Sequence, residues 1–582
     1  MKIRTREVME SGSNTRRAKA YRLSTWLAFW LVLLSQYGLS LYFANQEEQR
    51  WFVMLCSIAP VLWFYWAVRY AFPPLSAAIL VVVINALIHV AHRTKLALTA
   101  DPLSWGDLTN TANLSIVGQY ISVHQIVLIV AFLALTAFLI RRESKIPGKH
   151  RFVWGRTASM LIVTPLAFQP YFPEFAQTYA VMARDPGVIY RDWDWSGNVM
   201  ANGLPMHLVQ TSLRDVPEEA TPDQRSQFER LLRQSRTVSV PPPQKIIMIL
   251  CEACWHDAHN FKDLFEPLRG VGMQEFRAIS PAYGGGTVNA AFELLTGLPS
   301  SGVLSGVVYQ EYGRLITDDA FAWPRQLGRI GYDTVFMHHH SRSFWQRHVV
   351  VPKLGFSEFY GREDLRIDDP EHFAPDRYLY EAAWRRLERY PNRKTFMHLT
   401  SVYTHGPYIP DGDMGERDYS QRMARSIKET ANFIAKVKSR FPDSLVLLVG
   451  DHKPALTQYF FSKGVFESRH FAMIGNSNES FVFDPGIDRK ELGDVPGYIY
   501  YPDAMRIQKF LSGTNDVPMF CLTQLLDREF VMSGLPAFEF SRRDAVCDVA
   551  NQADYAQLIS AFPEWLFDLS LFNPLWQERT SH

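Results

Sequence analysis

The sequence predicts two architectures in one chain: an N-terminal helical membrane domain of about five spans, then an α/β domain built on a doubly wound sheet. Three observations predict it. Long apolar runs crowd the first third of the 582 residues. From Lys245 onward, short apolar runs alternate with helical patterns, as in a sheet covered by helices on both faces. A carboxylate or a histidine follows the end of each of the four clearest runs. The chain is also too long for a single ordinary domain. The expected division is 1–172 as a multi-span membrane domain, 173–243 as a juxtamembrane segment and linker, and 244–582 as the catalytic domain.

Apolar runs of spanning length lie near Thr25–Ala44, Trp51–Val68, Leu75–Ala91 and Gln125–Ile140, with a weaker one over Thr157–Phe172 that carries Pro165 and Pro170. A crossing helix needs about 20 apolar residues. Lys and Arg flank the runs unevenly: Lys2, Arg4, Arg6, Arg16, Arg17, Lys19 and Arg22 precede the first, and Arg141, Arg142, Lys145, Lys149, Arg151 and Arg156 separate the fourth from the fifth. Both clusters are expected on the cytoplasmic side. Five spans starting inside put everything after Phe172 outside the membrane. The first run lacks a small-residue cleavage site and other spans follow it, so it reads as an anchor rather than a removed signal peptide.

The segment from Pro173 to Leu213 is rich in Tyr, Trp, Asp and Arg and is expected to run along the membrane surface. Residues 215–239 are polar, with a helical pattern near Gln224–Gln234, and Pro241-Pro242-Pro243 forms a stiff spacer. A formal net charge of +1 argues against a nucleic-acid binder. Five cysteines are too few for a disulfide-built scaffold. Cys251 and Cys254 read as two buried thiols, and Cys521 and Cys547 are free to pair in an oxidising compartment.

The strands expected in the second domain are Ile246–Leu250, Thr334–Met337, Thr395–Leu399 and Leu445–Val449, with helices such as Tyr378–Arg389 and Gln421–Arg440 between them. Ligands of such sheets bind beyond the carboxyl ends of the strands. Those ends lead into Cys251-Glu252, His338-His339-His340, Thr400 through His405, and Gly450-Asp451-His452. Buried carboxylates and imidazoles gathered at one edge need a neutralising partner, and a divalent cation supplies one. Glu252, Asp451, His452 and the hydroxyl of Thr287 make a four-ligand set that suits Mn²⁺ first, with Zn²⁺ or Mg²⁺ as alternatives, better than Ca²⁺.

Thr287 follows Gly284-Gly285-Gly286 and opens a helical pattern. The helix start places it as an N-cap and, because free N–H groups there favour an anion, as a candidate nucleophile toward a phosphate or sulfate ester as well. A metal beside it would lower its hydroxyl pKa. His338 with Ser343-Phe344-Trp345-Gln346-Arg347 forms a second cluster, in which Arg347 can grip a phosphate oxygen and Trp345 can cover an alkyl or glycerol face. One or two of the three histidines are expected to be spectators. His405, in Thr404-His405-Gly406-Pro407-Tyr408, can serve as acid, base or substrate contact.

Together these residues resemble the lipoteichoic acid synthase and phosphoglycerol transferase branch of the alkaline phosphatase/sulfatase superfamily. The resemblance covers the layout of spans, linker and external catalytic domain. It is carried by Gly286-Thr287 through Phe292 to Gly297-Leu298-Pro299, by Glu252 after the first strand, and by Gly450-Asp451-His452-Lys453-Pro454-Ala455-Leu456. Phe344-Trp345-Gln346-Arg347 with His338, His405 before Pro407-Tyr408, and the Ala100–Leu108 loop add to it. It implies an alkaline phosphatase/sulfatase-like fold. It also implies transfer of glycerophosphate from phosphatidylglycerol onto Thr287, release of diacylglycerol into the bilayer, and passage of the group to an envelope glycan or polymer at the extracytoplasmic face of the bacterial inner membrane. Phosphoethanolamine transfer and a catalytically inactive lipid-binding member are the competing readings. A true sulfatase is disfavoured, because no cysteine lies in a C/S-x-P-x-R motif and threonine cannot become formylglycine.

Overall fold

A computed structural model of the chain describes residues 23–39, 51–99, 102–109, isolated positions from 131 to 141, 153–168, 171, 188, 195–212, 217–233 and 241–576, apart from 305, 366, 368, 370–372, 474–480, 484–487 and 550–553. The contacts divide it into two units, Met1–Arg214 and Asp215–His582.

The described part of the first unit is helical. Its apolar helices are Leu23–Leu39, Trp51–Val68, Pro74–Thr99 and Val153–Ala167, joined by shorter helices at Trp195–Asn202 and Leu204–Gln210. Among the described residues one stretch, Pro74–Arg93, is long and apolar enough to cross a membrane, with a mean hydropathy of 2.2. The run expected at Gln125–Ile140 lies mostly outside the described residues. The weak fifth run forms a 15-residue helix with Pro165 inside it. The helices meet through Ala28, Val32, Val61, Tyr65, Ala77, Ala78 and Val81. Their outer faces are apolar as well: of the large hydrophobic side chains exposed among the described residues, all but Leu315, Ile330, Ile409 and Met505 belong to this unit. A water-facing surface of that kind is rare, whereas a hydrocarbon-facing one is normal.

The second unit is organised by an eight-stranded mixed sheet. Its strands, with a separate hairpin, are β1 (Lys245–Cys251), β2 (Gln274–Ile279), β3 (Asp333–His338), β4 (Glu358–Tyr360), β5 (Thr395–Thr400), β6 (Leu445–Gly450), β7 (Phe471–Met473), β8 (Phe481–Phe483), β9 (Asp494–Tyr500) and β10 (Val517–Pro518). The order is β10-β2-β9-β6-β1-β5-β3-β4, and β7 pairs only with β8. The four strands expected from sequence lie adjacent and parallel as β6-β1-β5-β3. Every residue of β1, β5 and β6 is buried, as for strands covered on both faces. The sheet departs from an all-parallel one at β9, which runs antiparallel to both β2 and β6.

Period-two alternation sorts the side chains. Ile247, Ile249, Met397, Leu399, Val446 and Leu448 face one core, where they meet Leu379, Ala383, Ile427 and Ile434 of the Arg377–Arg389 and Glu416–Arg440 helices. On the other face Phe396 packs edge-on to Trp323, with ring centroids 5.0 Å apart. There the Thr287–Thr296 helix lies against Met519–Phe530.

The cysteine reading needs correction. Cys251 and Cys254 are buried as expected, but they form a disulfide rather than two thiols. The turn after β1 folds back on itself, with Ala253 at φ 49° and the Cys254 N–H donating to the Cys251 carbonyl at 3.3 Å. That brings the two Cα atoms to 5.5 Å, within disulfide reach. Cys521 and Cys547 also pair.

Candidate active site

Strand register builds the site. Cys251 of β1 stands opposite Gly450 of β6, so Glu252 and Asp451 leave the sheet side by side. The neighbouring register sets Leu250, Thr400 and His338 in one row across β1, β5 and β3. Gly450 is required by space: a Cβ there would lie 2.2 Å from the Cys254 carbonyl oxygen. The β6 end and the disulfide turn are therefore in backbone contact. The Asp451 N–H donates to the Cys251 carbonyl at 3.0 Å, while Asp451 Oδ1 accepts from the N–H groups of Ala253 and His452, each at 2.7 Å.

The glycine-rich loop is tied to the same place. The Gly284 N–H donates to the Lys453 carbonyl at 3.1 Å, and the Ser280 hydroxyl donates to the Asp451 carbonyl. Gly286, at φ 87°, is the N-cap of the following helix and makes no side-chain cap. Thr287 is thus the first helical residue rather than the cap expected from sequence. Its hydroxyl is free of backbone duty and donates to Asp451 Oδ2 at 2.7 Å, with Glu252 Oε2 at 3.3 Å.

Glu252, Asp451 and His452 are buried, and their ligating atoms lie within 4.8 Å of one another. His452 Nε2 is 3.3 Å from Asp451 Oδ2 and 3.5 Å from Glu252 Oε1. His452 Nδ1 is 2.8 Å from the Lys453 carbonyl, so it carries the proton and leaves the Nε2 lone pair pointing at the carboxylates. Nε2 has no hydrogen-bond partner in the structure. Burial, reinforced by the Asp451 charge, pushes the Glu252 carboxyl well above the usual range. Two buried carboxylates, an imidazole with an open lone pair and a hydroxyl are a donor set that fits a divalent cation.

Beside this group lies a buried cation with no counter-charge at bonding distance among the described residues. Arg347 is 1% exposed, and among the described residues its side chain donates from Nη1 to the Phe344 carbonyl at 3.5 Å. Its Nε has no partner. Burial lowers its pKa to about 10, against the pull of Tyr309, Glu252 and Asp451. A guanidinium held this way is costly unless an anion arrives. Two consecutive left-handed residues, Trp345 (φ 55°) and Gln346 (φ 54°), aim the segment that carries it. Trp345 is buried and packs edge-on to Phe344.

His338 is buried with Nδ1 3.0 Å from the Thr400 carbonyl and Nε2 unpartnered. Burial, then the charge of Arg347, holds it well below the ordinary histidine pKa, so the ring is neutral. Its neighbour His339 is a spectator as expected, bound through Nε2 to Asp376 at 3.1 Å and the Ala374 carbonyl at 2.9 Å. Asp376 in turn accepts from the Val402 and Tyr403 N–H groups and fixes the loop after β5. On that loop His405 stacks on Phe373, with centroids 4.4 Å apart, and its Nδ1 is 2.6 Å from the Gly406 carbonyl.

The structure thus brings Thr287, Glu252, Asp451 and His452 into direct contact. It sets Arg347 near enough to feel both carboxylates and His338 near enough to feel Arg347. No hydrogen bond or ion pair joins His405 or Trp345 to the Thr287 cluster among the described residues. Sequence reasoning missed Ser280 and Tyr309. Ser280 follows β2, a strand too polar to be recognised. Tyr309 is fully buried with an unpartnered hydroxyl, on the short helix Val308–Glu311, which carries no motif.

Residues 273–504, within the α/β unit, match the family model described as "Sulfatase". The match takes in Thr287, Asp451 and His452, and Glu252 lies ahead of it. Among curated proteins, the chain is 26% identical over 240 residues to a protein of Rhizobium meliloti (strain 1021) named "Putative cyclic beta-1,2-glucan modification protein". That match spans 38% of this chain and 37% of the relative, well under half of its length. Among solved structures, the chain is similar to the lipoteichoic acid synthase LtaP from Listeria monocytogenes, at 19% identity and a TM-score of 0.39, over 54% of this chain and 81% of that one. It is also similar to the Streptococcus pyogenes phosphoglycerol transferase GacH in complex with sn-glycerol-1-phosphate. There the identity is 17% and the TM-score 0.41, over 61% of this chain and 94% of that one.

Proposed function

We propose that this chain is a membrane-anchored, metal-dependent phosphoglycerol transferase. In this reading it moves glycerophosphate from phosphatidylglycerol to an envelope glycan or polymer through a covalent intermediate on Thr287. The observation that carries the reading is the Thr287 hydroxyl bonded to Asp451 inside the Glu252–Asp451–His452 group. A divalent cation held by Glu252, Asp451, His452 and Thr287 Oγ1 would lower the hydroxyl pKa and offset the charge that develops on the phosphoryl oxygens. Mn²⁺ is the first expectation, with Zn²⁺ or Mg²⁺ next.

The protein's own part is nucleophile and electrostatic clamp. Thr287 attacks phosphorus, the bond from phosphorus to the diacylglycerol oxygen breaks, and diacylglycerol leaves with a proton. Arg347, otherwise without a counter-ion at bonding distance, faces the phosphoryl oxygens. His338 is neutral and has an open Nε2 for a substrate hydroxyl, while Trp345 and His405 contact the glycerol side. An acceptor hydroxyl then attacks the phosphothreonine and frees Thr287. The exposed apolar faces of the first unit support a membrane location, and the five-span reading of the sequence then puts the catalytic unit on the extracytoplasmic side. The name of the Rhizobium relative, a glucan modification protein, supports a glycan acceptor.

The test is incubation with phosphatidylglycerol labelled in its head group, with Mn²⁺. Label on Thr287, passing to an envelope polymer, is the expected result. Label taken instead from phosphatidylethanolamine would move the assignment to a phosphoethanolamine transferase, and absence of label from both would favour an inactive member.

A further inference from the structure

The first unit encloses a cavity of about 700 Å³, within the roughly 300–1,000 Å³ of preformed ligand pockets. Val61, Phe64, Val81, Ile84, Ile88 and Phe168 are among the residues of its apolar wall. Four polar side chains also reach it, and each has a partner from the protein. Asn85 Nδ2 donates to Gln36 Oε1 at 2.6 Å, and Thr164 Oγ1 accepts from Trp63 Nε1 at 3.2 Å. The Tyr171 and Ser212 hydroxyls bond each other at 2.9 Å. Such a wall asks no hydrogen bond of its occupant, so a head group or sugar would lose bonds by entering and an alkyl chain would not.

We propose that this cavity holds one acyl chain of a bilayer phospholipid from the extracytoplasmic leaflet. The claim rests on the membrane location proposed above. Depth along the wall agrees with it. Val81 is fully buried, whereas Trp105 and Tyr171, 44% and 47% exposed, mark the mouth and supply the aromatic rings typical of a membrane interface. Given the expected topology, the Pro74–Thr99 helix rises outward from Val81 toward Ile88, so the mouth opens toward the outer leaflet. Hydrocarbon moving from bilayer to cavity gains little from the hydrophobic effect, since both surroundings are apolar. The site therefore acts by shape, seating one chain and fixing where its head group stands.

The probe is phosphatidylglycerol carrying a diazirine at the end of one acyl chain, incorporated with the full-length protein into phosphatidylethanolamine bilayers. Photolysis followed by peptide mass spectrometry should place label on peptides containing Phe64, Ile84 and Ile88. Filling the cavity by Ile84→Trp should cut that label by about tenfold, and Ile88→Phe is the second variant should the first fail to fold. Leu161→Trp, at a position 68% exposed on the outside of the unit, should leave it unchanged. Label spread evenly over the outer face, including Trp30 and Ile162, and insensitive to both filling variants would overturn the proposal. The readout needs no turnover. Chain labelling without head-group transfer would keep the cavity assignment while removing the donor assignment.

Discussion

The hydroxyl of Thr287 lies 2.7 Å from Asp451 Oδ2, joining the first residue of a helix to the residue that follows a central strand. Thr287→Ala should leave a folded domain, because only the hydroxyl and one methyl group are lost and the helix start is set by Gly286. Transfer activity should fall by at least about 1,000-fold, as for loss of a nucleophile, with stability changed by no more than about 2 kcal/mol. Head-group transfer and thermal unfolding of the same preparation check both parts.

Asp451→Asn should remove bound metal as well as activity. In metal-free protein the same substitution should raise the melting temperature, since it takes one of two adjacent buried carboxylate charges away from Glu252. Metal stoichiometry and melting curves with and without chelator separate the two effects. An unchanged stoichiometry would locate the cation elsewhere.

Arg347→Ala should weaken donor use and spare the cation. A charged hydrogen bond to a phosphoryl oxygen contributes about 1.5–3 kcal/mol, or roughly 10- to 150-fold in kcat/KM. Mn²⁺ affinity measured on the same variant should move little. A parallel fall in both would show that Arg347 serves the metal group rather than the substrate.

Glu293 gives a pH signature away from the chemistry. It is buried on the Thr287 helix, its Oε1 accepts from the N–H and hydroxyl of Ser300 at 2.9 Å, and burial pushes its carboxyl up to about 8. Between roughly pH 4.5 and 8 the folded state keeps a proton that the unfolded state has released. This group therefore lowers stability as pH rises through that window, with a slope approaching about 1.4 kcal/mol per pH unit. Glu293→Gln should flatten the slope, and denaturant melts at pH 5 and pH 8 measure it.

Cys521 and Cys547 close a loop with a sequence separation of 26. Replacing both with serine should cost about 3 kcal/mol, mainly through the unfolded chain. The shift of the urea midpoint, compared with that of the reduced natural protein, checks this.

The four strands that frame the site were legible because each is a short apolar run buried on both faces, and their ends carried Glu252, His338, Asp451 and His452 into view. The antiparallel β9 was not, since Pro496 and Gly497 lie inside it and argue against a strand by any local rule. β2, with Gln274, Glu275 and Arg277, looks like a surface segment, and only its pairing with β9 makes it part of the sheet. His398 was absorbed into an apolar strand. It stacks on Phe336 at 4.9 Å, with burial and then Arg347 holding its pKa down to about 3, so it belongs to the core rather than the site. Thr287 was legible as a helix start, but which of Gly286 and Thr287 caps the helix depends on a single φ angle.

The place of β9 also sets an order of assembly. In the sheet, β2 borders only β9 and β10, both made late in the chain, and the Thr287 helix that follows β2 rests on Met519–Phe530. A chain emerging N-terminus first therefore carries its nucleophile for a long stretch of synthesis without the scaffold that brings it to Asp451. The cluster can assemble only when β9 and Met519–Phe530 have arrived, so a product that stops between His452 and Asp494 holds Glu252, Thr287, Asp451 and His452 without the scaffold that gathers them.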